Sequence, residues 1–304
     1  MKRPASAVKP APKVVRGESA GGASSKVAKQ ADSLLCDYMK QCLKRLSLAK
    51  RKRLTASLRA DFSMSSACTG SGMAEVVFAT LCNIVDAPCL CNFCCEKVPF
   101  KRDFITNVVS PLASNHGDAC MFEDITIHPQ RVAPCKTHGK DCRVPDRMDC
   151  FTCGFSCKDL SKLSTAQKDN ILRKAIGTSG KTLAALLNFA NVCKPKTMIL
   201  ENVDALEEKP GGVENDNLEF LYSAMQALSY SVSQRTLISS KFGLPQNRKR
   251  IFFVCIHHES FGLSPASGQA LVDKILDNVG NLEVHGGSMH PSSSRMTTSS
   301  CRLS

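Results

Sequence analysis

The sequence predicts an α/β fold, a doubly wound and mostly parallel sheet, and three observations carry that prediction. Strand-like and helix-like segments alternate from about residue 62 to residue 279, the pattern of repeated strand–helix–strand units. A Gly70-Ser71-Gly72 turn sits where the first strand gives way to the first helix. At 304 residues with 43% apolar composition, the chain is long enough to bury one large or two modest cores.

The elements follow in order. Ala31 to Arg59 repeats apolar residues at helical spacing (Leu34, Leu35, Tyr38, Met39, Cys42, Leu46) and holds the basic run Lys50-Arg51-Lys52-Arg53, predicting one or two basic helices. Phe62–Thr69 reads as a strand and Met73–Val85 as the helix after the glycine turn. A second strand is expected at Cys91–Cys95, a helix at Phe100–Val109 and a third strand at Cys120–Ile125. The fourth strand is Asp149–Cys153, followed by helices at Ala166–Ile176 and Lys181–Cys193 and a fifth strand at Thr197–Val203. Leu218–Leu228 reads as a helix, Gln234–Ser239 and Arg250–Ile256 as strands, and Gln269–Val279 as the last helix. In such a sheet, ligands sit at the carboxyl ends of the strands.

Charge divides the chain. Residues 1–60 carry 15 Lys/Arg against three acids, whereas the other 244 carry 25 against 24, so the net +13 belongs almost wholly to one end. Such an arm points to nucleic-acid binding or nuclear import, and hence to a nuclear protein. Residues 1–30 are rich in Pro, Gly, Ser, Ala and Lys and are expected to be a disordered basic tail. Residues 31–59 form the basic helical segment, 60–285 the folded catalytic body, and 286–304 a Ser/Thr-rich tail. Seventeen cysteines, an odd number set within apolar strand-like runs and without a signal peptide, imply free thiols in a reducing compartment. The longest apolar stretch, Val76 to Val85, is short and broken by Thr80 and Asn83, which excludes a helical membrane span.

A G-x-G turn between strand and helix lets the backbone approach a ligand, although by itself it also suits a plain tight turn. The second strand ends in Glu96 and the third in Glu123-Asp124-Ile125, which sets carboxylates on the same edge, where they can bind ribose hydroxyls. The P-loop lysine is absent, and Glu75 stands where a full G-x-G-x-x-G fingerprint needs its last glycine. A nucleoside cofactor without a phosphate cradle is better matched by S-adenosylmethionine than by NAD or ATP.

Four blocks then occur in order: Ala67-Cys68-Thr69-Gly70-Ser71-Gly72, Gly154-Phe155-Ser156-Cys157-Lys158-Asp159, Leu200-Glu201-Asn202-Val203 and Gly243-Leu244-Pro245-Gln246-Asn247-Arg248-Lys249-Arg250. Together they resemble the cytosine-C5 DNA methyltransferase family over roughly residues 60–260. The resemblance implies the Rossmann-like fold of S-adenosylmethionine-dependent methyltransferases. It also implies methyl transfer to C5 of cytosine in DNA, with tRNA the alternative substrate, and a catalytically silent nucleic-acid-binding protein is the rival reading. C5 is a poor nucleophile, so a thiolate must first add to C6. The resemblance gives that role to Cys157, in a loop setting that favours a thiolate. It makes Glu201 the partner of N3, Arg248 the cation that orients the base, and Arg250 a supporting cation. By the same resemblance Cys68, Thr69, Gly70, Ser71, Gly72, Glu96, Lys97, Asp124, Ile125 and Ser156 bind the cofactor. Asn202, Gln246, Arg250 and Lys158 contact the nucleic acid, whose target base must flip out of the duplex.

Two departures shape further expectations. The nucleophile loop reads Phe-Ser-Cys-Lys where the family has Pro-Pro-Cys-Gln. After Val254 neither a target-recognition domain nor the family's final Gly-Asn helix is evident, apart from a faint echo at Asp277-Asn278-Val279-Gly280. Recognition would then fall to the basic arm, to an insertion or to a separate targeting subunit. The insertion candidate is Thr126 to Arg147, which contains Cys135-x2-His138-x3-Cys142. A zinc site there would need a fourth ligand from Cys89, Cys91, Cys94 or Cys95. An ordinary loop without metal is the expectation, because those cysteines belong to the second strand.

Overall fold

Nine strands form one sheet in the order β5-β4-β3-β2-β1-β6-β7-β9-β8. The computed structural model describes residues 35–109, 119–126, 131–145, 147–160, 171–207, 216–244 and 246–282. The expected tails at 1–30 and 286–304 lie outside those residues. So do 166–170 of the expected helix Ala166–Ile176, and 127–130 and 146 of the insertion candidate.

The central strands β1 (Ser63–Ala67), β2 (Leu90–Cys95), β3 (Cys120–Phe122), β6 (Cys150–Cys153) and β7 (Thr197–Asn202) pair in parallel. At one side β9 (Lys249–His257) runs antiparallel to β7 and to the edge strand β8 (Tyr230–Ile238). At the other, the short hairpin β4 (Val132–Cys135) and β5 (Lys140–Arg143) adds antiparallel to β3. The sheet is thus doubly wound and mostly parallel. Strand β1 leads outward toward β2 and β3, and β6 leads the other way toward β7, so the switch point lies between β1 and β6.

Helices cover both faces: α1 (residues 35–44), α2 (Leu48–Arg59), α3 (Met73–Val85), α4 (Pro99–Phe104), α5 (Gly177–Cys193), α6 (Asp216–Ala227) and α7 (Pro265–Gly280). Strand alternation divides the core between the faces. Phe93, Phe122 and Phe151 face Phe189 of α5, with ring centroids 4.6 Å apart for Phe151–Phe189 and 5.5 Å for Phe93–Phe122. Their sequence neighbours Cys94 and Met121 pack instead with Ile105 in a separate cluster. Leu58 of α2 joins Met64, Phe78, Ala79 and Cys82 in a third. The basic residues Lys50, Arg51, Lys52 and Arg53 all lie exposed on α2. None of the sixteen described cysteines is in a disulfide, and among the described residues no helix is long and apolar enough to cross a membrane.

Three expectations are corrected. Ile171–Ala175 is a set of turns and not the end of a helix. Ala175 (φ 50°) and Gly177 (φ 66°) take the left-handed conformation and reverse the chain into α5, and the Leu172 amide bonds to Asn217 Oδ1. Gly180 lies so close under the Ile171 carbonyl that a side chain there would collide with backbone. The expected helix Phe100–Val109 is α only to Phe104 and continues as a π-helical turn over Ile105–Val109. The expected loop at 126–147 contains the β4–β5 hairpin.

Asp149 fastens the strand starts opposite the ligand edge. Its carboxylate accepts from the Ser63 amide (2.9 Å) and Lys196 Nζ (2.7 Å), and its carbonyl accepts from the Thr197 amide (2.9 Å), which links β1, β6 and β7. Partial burial alone would raise this carboxyl, but Lys196 and the Ser63 amide outweigh it and hold Asp149 below the usual carboxylate range. With the folded value below the unfolded one of about 3.9, the stabilisation is complete above about pH 4 and disappears as pH falls through the folded value. Asp149→Asn is therefore expected to cost about 1 kcal/mol at pH 7. Thermal midpoints of variant and wild type should converge at lower pH.

Candidate functional site at the switch point

The loops after β1, β6 and β7 meet where the strand order reverses, the position at which such sheets bind ligands. Gly154 records how close they come. A Cβ on it would lie 3.2 Å from Glu201 Oε2 and 3.4 Å from the Cys68 carbonyl, so three strand ends converge on one small residue.

On the β1 side, Cys68 (φ 52°), Gly70 (φ 65°) and Gly72 (φ 73°) are left-handed, and Gly72 caps α3. No atom lies within 4 Å of where a Gly70 Cβ would project, so its backbone faces open space. Two buried carboxylates shape the loop. Glu96, at the end of β2, accepts from the Gly70 amide (2.8 Å) through one oxygen and from the Val98 amide (3.0 Å) through the other. Glu75, 1% exposed in the first turn of α3, accepts from the Ser66 hydroxyl and from Thr69 Oγ1 (2.6 Å) with Oε1, while its buried Oε2 has no partner. Ser71 is exposed.

At the end of β3, Asp124 pairs with Lys97 Nζ (3.0 Å) and accepts from the Thr126 amide (3.0 Å). Burial pushes Asp124 up, yet the Thr126 amide and Lys97 together pull it below its ordinary value. Ile125 beside it is buried. Arg102 joins these ends, donating to the carbonyls of Glu96 (2.8 Å) and Lys97 (2.7 Å) and to Glu123 Oε1 (2.8 Å).

On the β6 side, the Gly154–Lys158 loop carries Cys157 half-buried at the head of a turn in which the Leu160 amide bonds to the Cys157 carbonyl (3.0 Å). Other cysteines of the central strands are fillers. Burial pushes the Cys150 thiol to about 11 and Cys95 well above its ordinary value. The loop is held at two points. Asp159 accepts from the Ser179 amide (2.7 Å) at the first turn of α5, and its own amide donates to Ser179 Oγ (3.1 Å). Asn202, 1% exposed, donates from Nδ2 to the Phe155 carbonyl (3.1 Å) and accepts from the Val203 amide (2.9 Å). Ser156 Oγ accepts from the Lys158 amide (3.4 Å), and the Lys158 side chain is exposed.

Glu201 is held by Arg250, whose Nε lies 2.8 Å from Oε1. Arg248 and Gln246 are exposed on the approach to β9, where the Arg248 carbonyl accepts from the Ser239 amide (3.0 Å). The structure therefore gathers Cys68–Gly72, Glu96, Cys157, Glu201, Asn202 and Arg250 around the switch point. It sets Lys97, Asp124 and Ile125 one strand further out, and it puts Arg250, not Arg248, against Glu201. Asn202, expected to contact the nucleic acid, directs its side chain to the Phe155 carbonyl of the Cys157 loop and to the Val203 amide. The sequence alone assigns no site role to Glu75, Arg102 or Asp159. For Glu75 the available signal was an acid three residues into a helix that begins beside Ser and Thr hydroxyls.

The family model for C-5 cytosine-specific DNA methylase matches residues 97–285, more than half of the chain. Curated relatives agree. The chain is 27% identical over 160 residues to the DNA (cytosine-5-)-methyltransferase DMT5 of Cryptococcus neoformans, covering 53% of this chain and 6% of that protein. It is 29% identical over 191 residues to the type II methyltransferase M.NlaIV of Neisseria lactamica (60% and 38%), and 30% identical over 182 residues to M.HpaII of Haemophilus parainfluenzae (59% and 45%). The chain thus spans less than half the length of each of these relatives. Among solved structures, the S. pombe Dnmt2 methyltransferase matches at 14% identity and a TM-score of 0.38, covering 64% of this chain and 49% of that one. With the family model extending from Lys97 at the ligand edge through the Cys157 loop, Glu201 and Arg250 to the end of α7, the chain belongs to the C-5 cytosine-specific DNA methylase family.

Proposed function

We propose that this protein transfers a methyl group to C5 of cytosine in DNA, using S-adenosylmethionine and a covalent bond between Cys157 and C6 of the base. The observation that supports it most is the convergence of the Cys157 loop, Glu201 and the glycine turn at Gly154. The edge residues fit the cofactor. The open backbone at Gly70 admits close approach. Glu96 keeps lone pairs beyond the two amides it accepts, and a carboxylate offers about four acceptor positions. Thr69, Gly70, Glu96 and Asp124 would hold the cofactor, which when bound supplies an electrophilic methyl group.

The chain's own residues would do the rest. Cys157, presented by a loop pinned at Phe155 and Asp159, adds to C6 and makes C5 nucleophilic. Glu201 shares a proton with N3 and so relieves the charge that addition places on the ring. Arg250 fixes the Glu201 carboxylate in place, and Arg248, one step further along the same approach, supplies the cation facing O2. Loss of the C5 proton after methyl transfer then expels the Cys157 thiolate and restores the C5–C6 double bond, and because attack at C6 and methylation at C5 use opposite faces of the ring, the base must leave the stack.

The test is mechanism-based trapping. Full-length protein is incubated with labelled S-adenosylmethionine and either duplex DNA or tRNA containing 5-fluorocytosine. A denaturation-resistant protein–DNA adduct is the expected result. An adduct with tRNA alone would transfer the reading to RNA. No adduct with either nucleic acid, while S-adenosylmethionine still binds, would leave a catalytically silent protein.

A further inference from the structure

The β4–β5 hairpin carries a cluster that the methyl-transfer chemistry does not use. Among the described residues, Cys120, Cys135, His138 and Cys142 bring three sulfurs and a ring nitrogen within 4.8 Å of one another. The three sulfurs converge on a single atom, His138 Nδ1, at 3.5 Å from Cys120, 3.2 Å from Cys135 and 3.4 Å from Cys142. Zinc bonds of about 2.3 Å to sulfur and about 2.0 Å to nitrogen, arranged tetrahedrally, place sulfur and nitrogen about 3.5 Å apart and sulfurs about 3.8 Å apart. The observed sulfur–nitrogen separations match those edges, and the sulfurs lie within 4.8 Å of one another.

The backbone holds this arrangement without help from the ligands. Cys135 and His138 flank a tight turn in which the Gly139 amide (φ 62°) bonds to the Cys135 carbonyl (3.0 Å). The Lys136 amide bonds to the Met121 carbonyl (2.8 Å) and Thr137 Oγ1 to the Ala119 carbonyl (3.0 Å), so the turn is fastened on both sides of Cys120. Cys142 comes across from β5, where Lys140 pairs with Cys135 and Cys142 with Ala133. The hairpin's ladder to the sheet is short. A single register pair, Phe122 with Cys135, joins β4 to β3, and β5 is largely exposed.

We propose that Cys120, Cys135, His138 and Cys142 bind one zinc ion that clamps the hairpin to the sheet edge. Four protein ligands close the coordination sphere, which makes the site structural. Cys120 opens β3 while Asp124 follows its other end, so the ion sits away from the switch point. Zinc is favoured over other divalent metals because three soft thiolates and an imidazole in a tetrahedron suit it best. Binding displaces the thiol protons and carries no redox change. The expectation of a metal-free loop is thereby replaced. The fourth ligand is Cys120, and Cys91, Cys94 and Cys95 remain in the core of β2.

The test needs no activity assay. Full-length protein purified under reducing conditions should contain about one zinc per chain by elemental mass spectrometry. Cobalt exchanged for it should show sulfur-to-cobalt charge-transfer bands and the strong visible bands of a tetrahedral site. The double variant Cys135→Ser/Cys142→Ser should lose at least about 80% of the metal, whereas Cys36→Ser, on α1 outside the cluster, keeps it. Removing zinc with a chelator should lower the thermal midpoint by about 5 °C or more. Should the double variant fail to fold, the wild-type cobalt spectrum and protection of the four ligands from alkylation by zinc still decide. Substoichiometric zinc in metal-replete preparations, an octahedral cobalt spectrum, or a Cys135–Cys142 disulfide in the reduced protein would overturn the proposal.

Discussion

Replacing Cys157 by Ser is expected to lower methyl transfer by about 10³-fold or more and to abolish the 5-fluorocytosine adduct. The two side chains differ by one atom, and Cys157 is only half-buried, so the fold should hold with a thermal midpoint within about 2 °C of wild type. The chemistry differs far more than the shape. A thiol gives up its proton and attacks as the thiolate far more readily than a serine hydroxyl does. S-adenosylmethionine binding, read by equilibrium dialysis, should stay unchanged because the glycine turn and Glu96 are untouched. Retained turnover in the variant would remove the covalent route. Retained adduct formation would show that another of the chain's cysteines is the nucleophile.

The sequence made the centre of the sheet legible because its signals there are local. Gly70 and Gly72 mark the β1–α3 turn, the apolar spacing of Met73–Val85 matches α3, and Leu200-Glu201-Asn202 sits at the end of β7. Where position depends on contacts between distant segments, the reading weakened. The β4–β5 hairpin has four-residue strands, Val-Ala-Pro-Cys and Lys-Asp-Cys-Arg, too short for an apolar pattern to register, and Cys120 meets His138 through pairing of β3 with β4. The Glu201–Arg250 pair is a case of strand register. Glu201 lies opposite Phe252 across the antiparallel β7–β9 ladder, so Arg250, two residues back, occupies the diagonal position on the same face. Arg248 lies just before the start of β9. The motif names both arginines, and only the register tells them apart.

Asn202→Ala is expected to have the second-largest effect, and it separates presentation of the thiol from its chemistry. Asn202 was expected to touch the nucleic acid, but its amide spans the Phe155 carbonyl and the Val203 amide inside the protein, 1% exposed. Truncation strands a buried carbonyl and a buried amide together, at roughly 1–3 kcal/mol for each group left unpaired, which predicts a loss of about 2–6 kcal/mol. For a body of this size that lowers the thermal midpoint by several degrees, which calorimetry would register. Phe155 lies two residues before Cys157, so the nucleophile loop loses one of its two fastenings, leaving the Asp159–Ser179 pair. Adduct formation should slow by about 10- to 100-fold, because a misplacement of about an ångström costs that much. Asn202→Asp keeps the acceptor for Val203 and loses the donor to Phe155, and should therefore recover part of the stability but little of the rate. If instead Asn202→Ala weakened nucleic-acid affinity with the adduct rate at saturating substrate unchanged, Asn202 would be a contact to the base and not a clamp on the loop.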